Sequence, residues 1–186
     1  MKIAVLCSGK GTNFENILRS VNKHEVVLMI HNTEKCGAVK RAAKFGVPHI
    51  HIPHKNEDLM IMTIKAFQVD LIVLAGYMRI LSPKFVQSFD RIINVHPSLL
   101  PKFKGADAIE QALQSGDTVT GCTVHYVTEE LDSGEIILQS EVPILPTDDV
   151  KSLTKAIQRV EYGLLPHAIN QIGDSLQSVH KTKTVA

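Results

Sequence analysis

The sequence predicts an α/β fold: a single Rossmann-like domain whose mostly parallel sheet carries helices on both faces. Apolar runs of strand length alternate with amphipathic stretches almost from the first residue, the pattern of a sheet wound with helices. The early runs are apolar from end to end, as strands buried on both faces are. The length, 186 residues, fits one domain and leaves little room for a second. No internal repeat, low-complexity segment or interdomain linker interrupts the chain, so residues 1–186 are expected to form that one domain.

Each element has a local cause. Lys2 to Cys7 is short, β-branched and uninterrupted, a buried strand that breaks at Ser8-Gly9-Lys10-Gly11-Thr12-Asn13. A helical spacing then puts Phe14, Ile17, Leu18 and Val21 on one face. Glu25 to His31 is the second strand, and a helix from about Ala38 to Phe45 stops at Gly46. His49 to Ile52 is a short third strand. Asn56 can cap a helix running to about Phe67, with Asp58 complementing the dipole in its first turn.

Asp70 to Gly76 is the most hydrophobic strand and is expected at the centre of the sheet. Pro83 suits the first turn of a short helix after Ser82. Arg91 to His96 is a fifth strand, followed by a long loop from Pro97 to Asp107 and a helix from about Ala108 to Ser115 that Gly116 ends. Thr118 to Thr128 and Glu135 to Ile144 alternate more loosely, as strands toward a sheet edge do. Asp148 opens a long amphipathic helix to about Ile172, which Pro166 should kink or break. His180 to Ala186 read as a frayed polar tail.

Composition narrows the function classes. Hydrophobic residues make up 44% and charged residues 21%, enough to bury a core. Lys and Arg total 20 against 19 Asp and Glu, with no basic excess to suggest a nucleic-acid partner. Three cysteines, Cys7, Cys36 and Cys122, stand far apart and read as reduced thiols rather than a disulfide frame. No apolar stretch approaches the ~18 residues of a membrane helix, and the start is too soon interrupted for a signal peptide. A soluble, cytoplasmic protein acting on small molecules, as a monomer or homodimer, is the expectation.

In a parallel sheet ligands bind beyond the carboxyl ends of the strands, where the strand order reverses. Three unusual segments follow strand ends: Ser8 to Asn13, Gly76 to Leu81, and His96 to Gly105. With the first and fourth strands as neighbours, all three should converge on one cleft. The glycine loop reads as an anion site, with free N–H groups and a helix dipole facing one phosphate. It reads also as a tight structural turn with Asn13 as an ordinary N-cap. Phe14 stands where a dinucleotide fingerprint needs a third glycine, and no Lys-Ser or Lys-Thr follows Gly11 as in a P-loop.

Asn94 and His96 lie two apart on a strand and so face the same way. An amide beside an imidazolium suits an oxyanion formed when a nucleophile adds to a carbonyl. Pro97 and Pro101 bracket a stiff turn that would fix the histidine. A carboxylate at Asp132, if close, would favour the charged ring. By pattern alone, a satisfied core histidine and a turn aspartate explain the same residues.

The segment Asn94-Val95-His96-Pro97-Ser98-Leu99-Leu100-Pro101 resembles the signature of the folate formyltransferases, and Leu131-Asp132-Ser133-Gly134 resembles a second family segment. The resemblance runs from Lys2 to about Gly173, and the Ser8 to Asn13 loop is similar to that of the branch acting on glycinamide ribonucleotide. It implies catalytic roles for Asn94, His96 and Asp132, with 10-formyltetrahydrofolate as co-substrate and no metal. It implies Gly11, Thr12 and Asn13 on the ribonucleotide phosphate, with Gln158 and Glu161 on the ribose and amine. It implies Met78, Arg79, Ile80, Leu81 and Asn94 against the folate, and a loop from Val127 to Gly134 around the pteridine. Without the resemblance, Met78 and Leu81 read as core, and Gln158 and Glu161 as a solvated helix face.

Two departures stand out. The stretch from Pro53 to Lys65 is shorter than in many relatives and lacks an Arg that often contacts the folate, and a terminal hairpin present in some members is missing. His49 and His51 share a strand face, with His54 nearby, but no full ligand set for a metal accompanies them. Methionyl-tRNA formyltransferase and formyltetrahydrofolate deformylase share the Asn, His and Asp set. Each ordinarily carries an additional domain that this chain is not expected to have. A noncatalytic nucleotide-binding domain would use the glycine loop and leave Asn94, His96 and Asp132 idle.

Overall fold

The computed structural model describes residues 1–21 and 23–183. Its elements, in chain order, are β1 (Lys2–Cys7), α1 (Thr12–Ser20), β2 (Glu25–His31), α2 (Ala38–Phe45), β3 (His49–His51), α3 (Glu57–Ala66) and β4 (Leu71–Leu74). There follow α4 (Pro83–Gln87), β5 (Ile92–His96), α5 (Ala108–Ser115), β6 (Val119–Tyr126), β7 (Ile136–Pro143) and α6 (Val150–Lys183). One sheet of seven strands has the order β3-β2-β1-β4-β5-β6-β7. The first five strands pair in parallel, while β6 and β7 add antiparallel at one side. β4 is indeed central, and all four of its residues are buried.

Period-two alternation sends one strand into two cores. Ile3, Val5 and Cys7 of β1 join Met29 and Val73 against Phe14 and Ile17 of α1, Ala38 and Ala42 of α2, and Leu165, Ala168 and Ile169 of α6. Ala4 and Leu6 point the other way, with Ile30 and Leu74, onto Met60, Ile61 and Ile64 of α3 and Phe85 of α4. The expected helix cover on both faces follows from this division. The caps also sit where expected: Asn56 Oδ1 accepts from the Leu59 N–H, Ser82 Oγ from the Phe85 N–H, and Gly46 ends α2 in the left-handed region.

Two expectations are corrected. α6 does not break at Pro166 but continues to Lys183, well beyond Ile172. Proline has no N–H for the carbonyl four residues earlier, here that of Tyr162. The amide Nδ2 of Asn16, on α1, donates to that carbonyl instead. The loss is made good from a neighbouring helix, and the buried apolar face of α6 carries the helix through. Of the polar tail read from His180, the first four residues are helical and Thr184 to Ala186 lie outside the described residues.

The second correction concerns α1. Asn13 is not its N-cap; that position belongs to Gly11, at φ 75°. A Cβ at Gly11 would stand 2.6 Å from Ala38 Cβ, so the residue must be glycine for both conformation and close approach to α2. Gly46, also left-handed, has open space around it. Gly11→Ala should therefore lower unfolding free energy by roughly 2 kcal/mol or more, and Gly46→Ala by about 1 kcal/mol. Urea melts of the two variants measure the difference, and equal losses would remove the packing argument.

Candidate active site

The strand order reverses direction between β1 and β4, and the segments leaving these two strands are stitched together. The Ser8 N–H donates to the Gly76 carbonyl at 3.1 Å. Ser8 Oγ accepts from the Met78 N–H at 2.8 Å and donates to Asn32 Oδ1 at 2.7 Å. Beside this junction lies a cleft of about 580 Å³, lined by Gly76–Leu81, Asn94–Pro97, Gly105–Glu110 and Val127–Asp132. That volume suits a small-molecule site. The expected convergence holds in part: the Gly76 and His96 segments line this cleft, while the glycine loop lies outside its lining and is joined to it through Ser8.

The antiparallel register of β5 and β6 places Asn94 opposite His125 and His96 opposite Thr123. Asn94 Nδ2 stands 3.5 Å from His125 Nε2. His125 Nδ1 donates to the Tyr126 carbonyl at 2.9 Å, and His96 Nε2 donates to the Phe103 carbonyl at 2.7 Å. Asp132, in the left-handed region at φ 48°, turns its carboxylate back into the cluster. Its Oδ2 accepts from the Gly105 N–H at 2.8 Å and lies 3.4 Å from His96 Nδ1, while Oδ1 lies 3.6 Å from His125 Nε2. Burial works against ionisation of Asp132. Hydrogen bonding from His125 and Gly105, with the nearby charge of His96 and His125, outweighs it and holds the carboxyl below its ordinary value.

The glycine loop is fixed from behind. The Gly9 carbonyl accepts from the Ala38 N–H and Cys36 Sγ, and the Lys10 carbonyl from Arg41 Nε. With its carbonyls turned to α2, the loop leads into the first turn of α1, whose N–H groups have no intrahelical acceptors. Asn13 Nδ2 donates to Glu161 Oε2 at 3.0 Å, and Asn13 Oδ1 is buried with no hydrogen-bond partner among the described residues. Burial raises the Glu161 carboxyl above its ordinary value, and the Asn13 bond only partly offsets this. A buried acceptor pair of this kind suits a ligand that brings N–H or O–H donors. Gln158, one turn earlier on α6, is exposed.

Across the cleft, Met78 and Ile80 are 74% and 78% exposed, while Leu81 is buried behind them. The core reading is therefore wrong for Met78, which forms an apolar lip with Ile80 beside the exposed Arg79. Leu131, half exposed, and Val127 line the cleft with them. The sequence reading missed Tyr77 and His125. Tyr77 sits in the cleft wall with a buried, unpartnered hydroxyl, and burial and then Glu57 push its phenol up to about 12. His125 carried one signal, a polar residue two positions after Thr123 in an otherwise buried strand. His31 stacks on His51 at 5.2 Å and lies 6.4 Å from His49. Among the described residues no group of three or more His, Cys, Asp or Glu could hold a metal ion.

Residues 1–169 match the formyl transferase family. The chain is 41% identical over 200 aligned positions to the trifunctional purine biosynthetic protein adenosine-3 of Drosophila pseudoobscura pseudoobscura, covering 100% of this chain and 15% of that protein. It is 38% identical over 183 positions to the human protein of the same name, covering 92% and 18%. The chain thus spans less than a fifth of the length of these curated relatives. Among solved structures it is similar to phosphoribosylglycinamide formyltransferase from Anaplasma phagocytophilum, with TM-score 0.92 and 36% identity over 94% of this chain and 88% of that one. The corresponding enzyme from Bacillus halodurans gives TM-score 0.88 and 38% identity over 92% and 95%. The resemblance drawn from the Asn94 and Ser8 segments is thereby upheld.

The two buried carboxylates should affect stability in opposite directions. Asp132 is held below its unfolded value, so its ionisation contributes stability that is full above about pH 4 and lost as pH falls through the lowered value. Asp132→Asn should melt lower than wild type at pH 7, and the gap should close in acid. Glu161 is raised, so its charge costs stability at neutral pH. Glu161→Gln keeps an acceptor for Asn13 and should melt higher at pH 7, with the gain shrinking as pH falls toward 4. Thermal melts from pH 3 to 7 read both, and a shift of the wrong sign at pH 7 contradicts the assignment concerned.

Proposed function

The chain belongs to the formyl transferase family, and we propose that it transfers a formyl group from 10-formyltetrahydrofolate to the amine of glycinamide ribonucleotide in purine biosynthesis. The observation that carries this reading is the cluster of Asn94, His96, His125 and Asp132 in the wall of a cleft with an apolar lip, tied through Ser8 to a glycine loop. An acyl transfer needs a donor pocket, an acceptor site and a charged or polar group where the carbonyl oxygen gains charge. Each is supported by residues already located.

The apolar lip of Met78 and Ile80, with Leu81, Val127 and Leu131, fits a flat heteroaromatic donor. Arg79, exposed beside the lip, is the cation nearest to hand for a carboxylate. Gly11, Thr12 and Asn13 offer the first turn of α1 to the phosphate, while Asn13 Oδ1 and Glu161 accept from the amine or ribose hydroxyls, with Gln158 at the rim. The Glu161 carboxyl and the anion site at the start of α1 thus suit different groups of one aminated ribonucleotide.

The amine attacks the formyl carbon directly, and no covalent enzyme intermediate is needed. Asn94 Nδ2, held only by a long contact to His125, is the amide donor free to meet the developing oxyanion. His96 donates beside it as its bond to the Phe103 carbonyl gives way, with Asp132 supporting the charged ring. His125, between Asn94 and Asp132, orients both: unprotonated at Nε2 it accepts from the amide, protonated it donates to the carboxylate. The proton lost by the amine passes to the leaving nitrogen through the Asp132–His96 pair.

Donor consumption, followed by absorbance, should require the ribonucleotide. Asn94→Ala, His96→Ala and Asp132→Ala should each lower kcat by on the order of 10²–10⁴ while the proteins remain folded. Near-normal turnover in folded His96→Ala would remove its role. Donor consumption without the ribonucleotide would point to hydrolysis instead.

A further inference from the structure

We propose that Asn16 is a positioning residue for the nucleotide site, acting through the α6 carbonyl that Pro166 leaves free; this rests on the ribonucleotide reading of the Asn13–Glu161 pair. Asn13 and Asn16 are three apart on α1 and lie on one face of it. Their amides reach two successive residues of α6. Asn13 Nδ2 donates to the Glu161 side chain, and Asn16 Nδ2 donates to the Tyr162 carbonyl.

The second acceptor exists only because of the proline. In an uninterrupted helix the Tyr162 carbonyl would accept from the N–H of residue 166, and Pro166 has none. Pro166 therefore turns one carbonyl of α6 into an acceptor directed at α1, and Asn16 occupies it. A single bond between two helices leaves a pivot, whereas two bonds a turn apart fix both separation and rotation.

Apolar packing alone would not do this. Phe14 and Ile17 of α1 meet Leu165, Ala168 and Ile169 of α6 in one core cluster, which keeps the helices together. Such contacts are non-directional and tolerate sliding and rotation. Asn13 and Glu161 need a fixed relation because Asn13 Oδ1 has no partner among the described residues and Glu161 stays buried at a cost. Asn16 touches neither ligand nor reacting atoms in this account; it sets where Asn13 and Glu161 stand.

The test separates positioning from mere satisfaction of a carbonyl. Asn16→Ala should raise KM for the ribonucleotide about 5- to 10-fold, with little change in kcat or in KM for the formyl donor, and should lower the melting temperature. Pro166→Ala restores an N–H for the Tyr162 carbonyl without restoring the link to α1. In the double variant Asn16→Ala/Pro166→Ala the melting temperature should recover while KM for the ribonucleotide stays raised. A wild-type KM in Asn16→Ala, or recovery of KM together with stability in the double variant, would overturn the proposal. Absence of ribonucleotide-dependent turnover in the wild-type protein would instead remove the reading on which it rests.

Discussion

Taking a carboxylate out of water costs several kcal/mol unless donors replace the lost hydration. Asp132, with a side chain 7% exposed, meets that demand with groups from three separate segments. Gly105 comes from the loop after β5, His96 from the end of β5, and His125 from the neighbouring antiparallel strand. Each donor restrains its segment, so the one charge decides how the loops close over the cleft. The backbone carries strain in the same place: Phe103, Asp107 and Asp132 all have positive φ without being glycine. Two of these bring the carbonyl of Phe103 and the carboxylate of Asp132 onto the two nitrogens of one imidazole.

The same logic, at a different scale, joins the two halves of the site. Ser8 follows β1 and opens the glycine loop, yet its hydroxyl accepts the amide of Met78 in the cleft wall. A shift in the glycine loop is therefore felt by the apolar lip, through one short side chain anchored on Asn32. On the far side α6 supplies Glu161 to Asn13 of α1, so this pair is held between two helices rather than on a loose loop.

Much of this was legible in the chain. Every strand was placed to within about two residues, β1, β2, β4 and β5 by largely unbroken apolar runs and β6 and β7 by looser alternation toward the sheet edge. Gly46, Gly116, Asn56 and Ser82 marked helix ends through backbone conformation and capping chemistry, which are local. Spacing put Asn94 and His96 on one strand face; the resemblance gave them catalytic roles with Asp132, whose proximity to His96 could not be read from spacing. His125 was missed because only the β5–β6 register brings it opposite Asn94, and register is a non-local property. Of the kink or break expected at Pro166, the break does not occur: the freed carbonyl finds a partner in Asn16, which stands 146 residues before Tyr162 and could not be read locally. Tyr77 lay within the Gly76 to Leu81 segment already marked, but nothing singled it out there, since an aromatic after a central strand reads as core.

On the function proposed above, the cleft delivers the formyl carbon to an amine held by the glycine loop and Glu161. The most direct measurement follows a ¹³C-labelled formyl group by NMR, starting from the labelled folate donor, the ribonucleotide and the protein. The account predicts that the label leaves the donor and appears as a formamide carbon on the ribonucleotide. Label accumulating as free formate, or remaining on the donor, would contradict it.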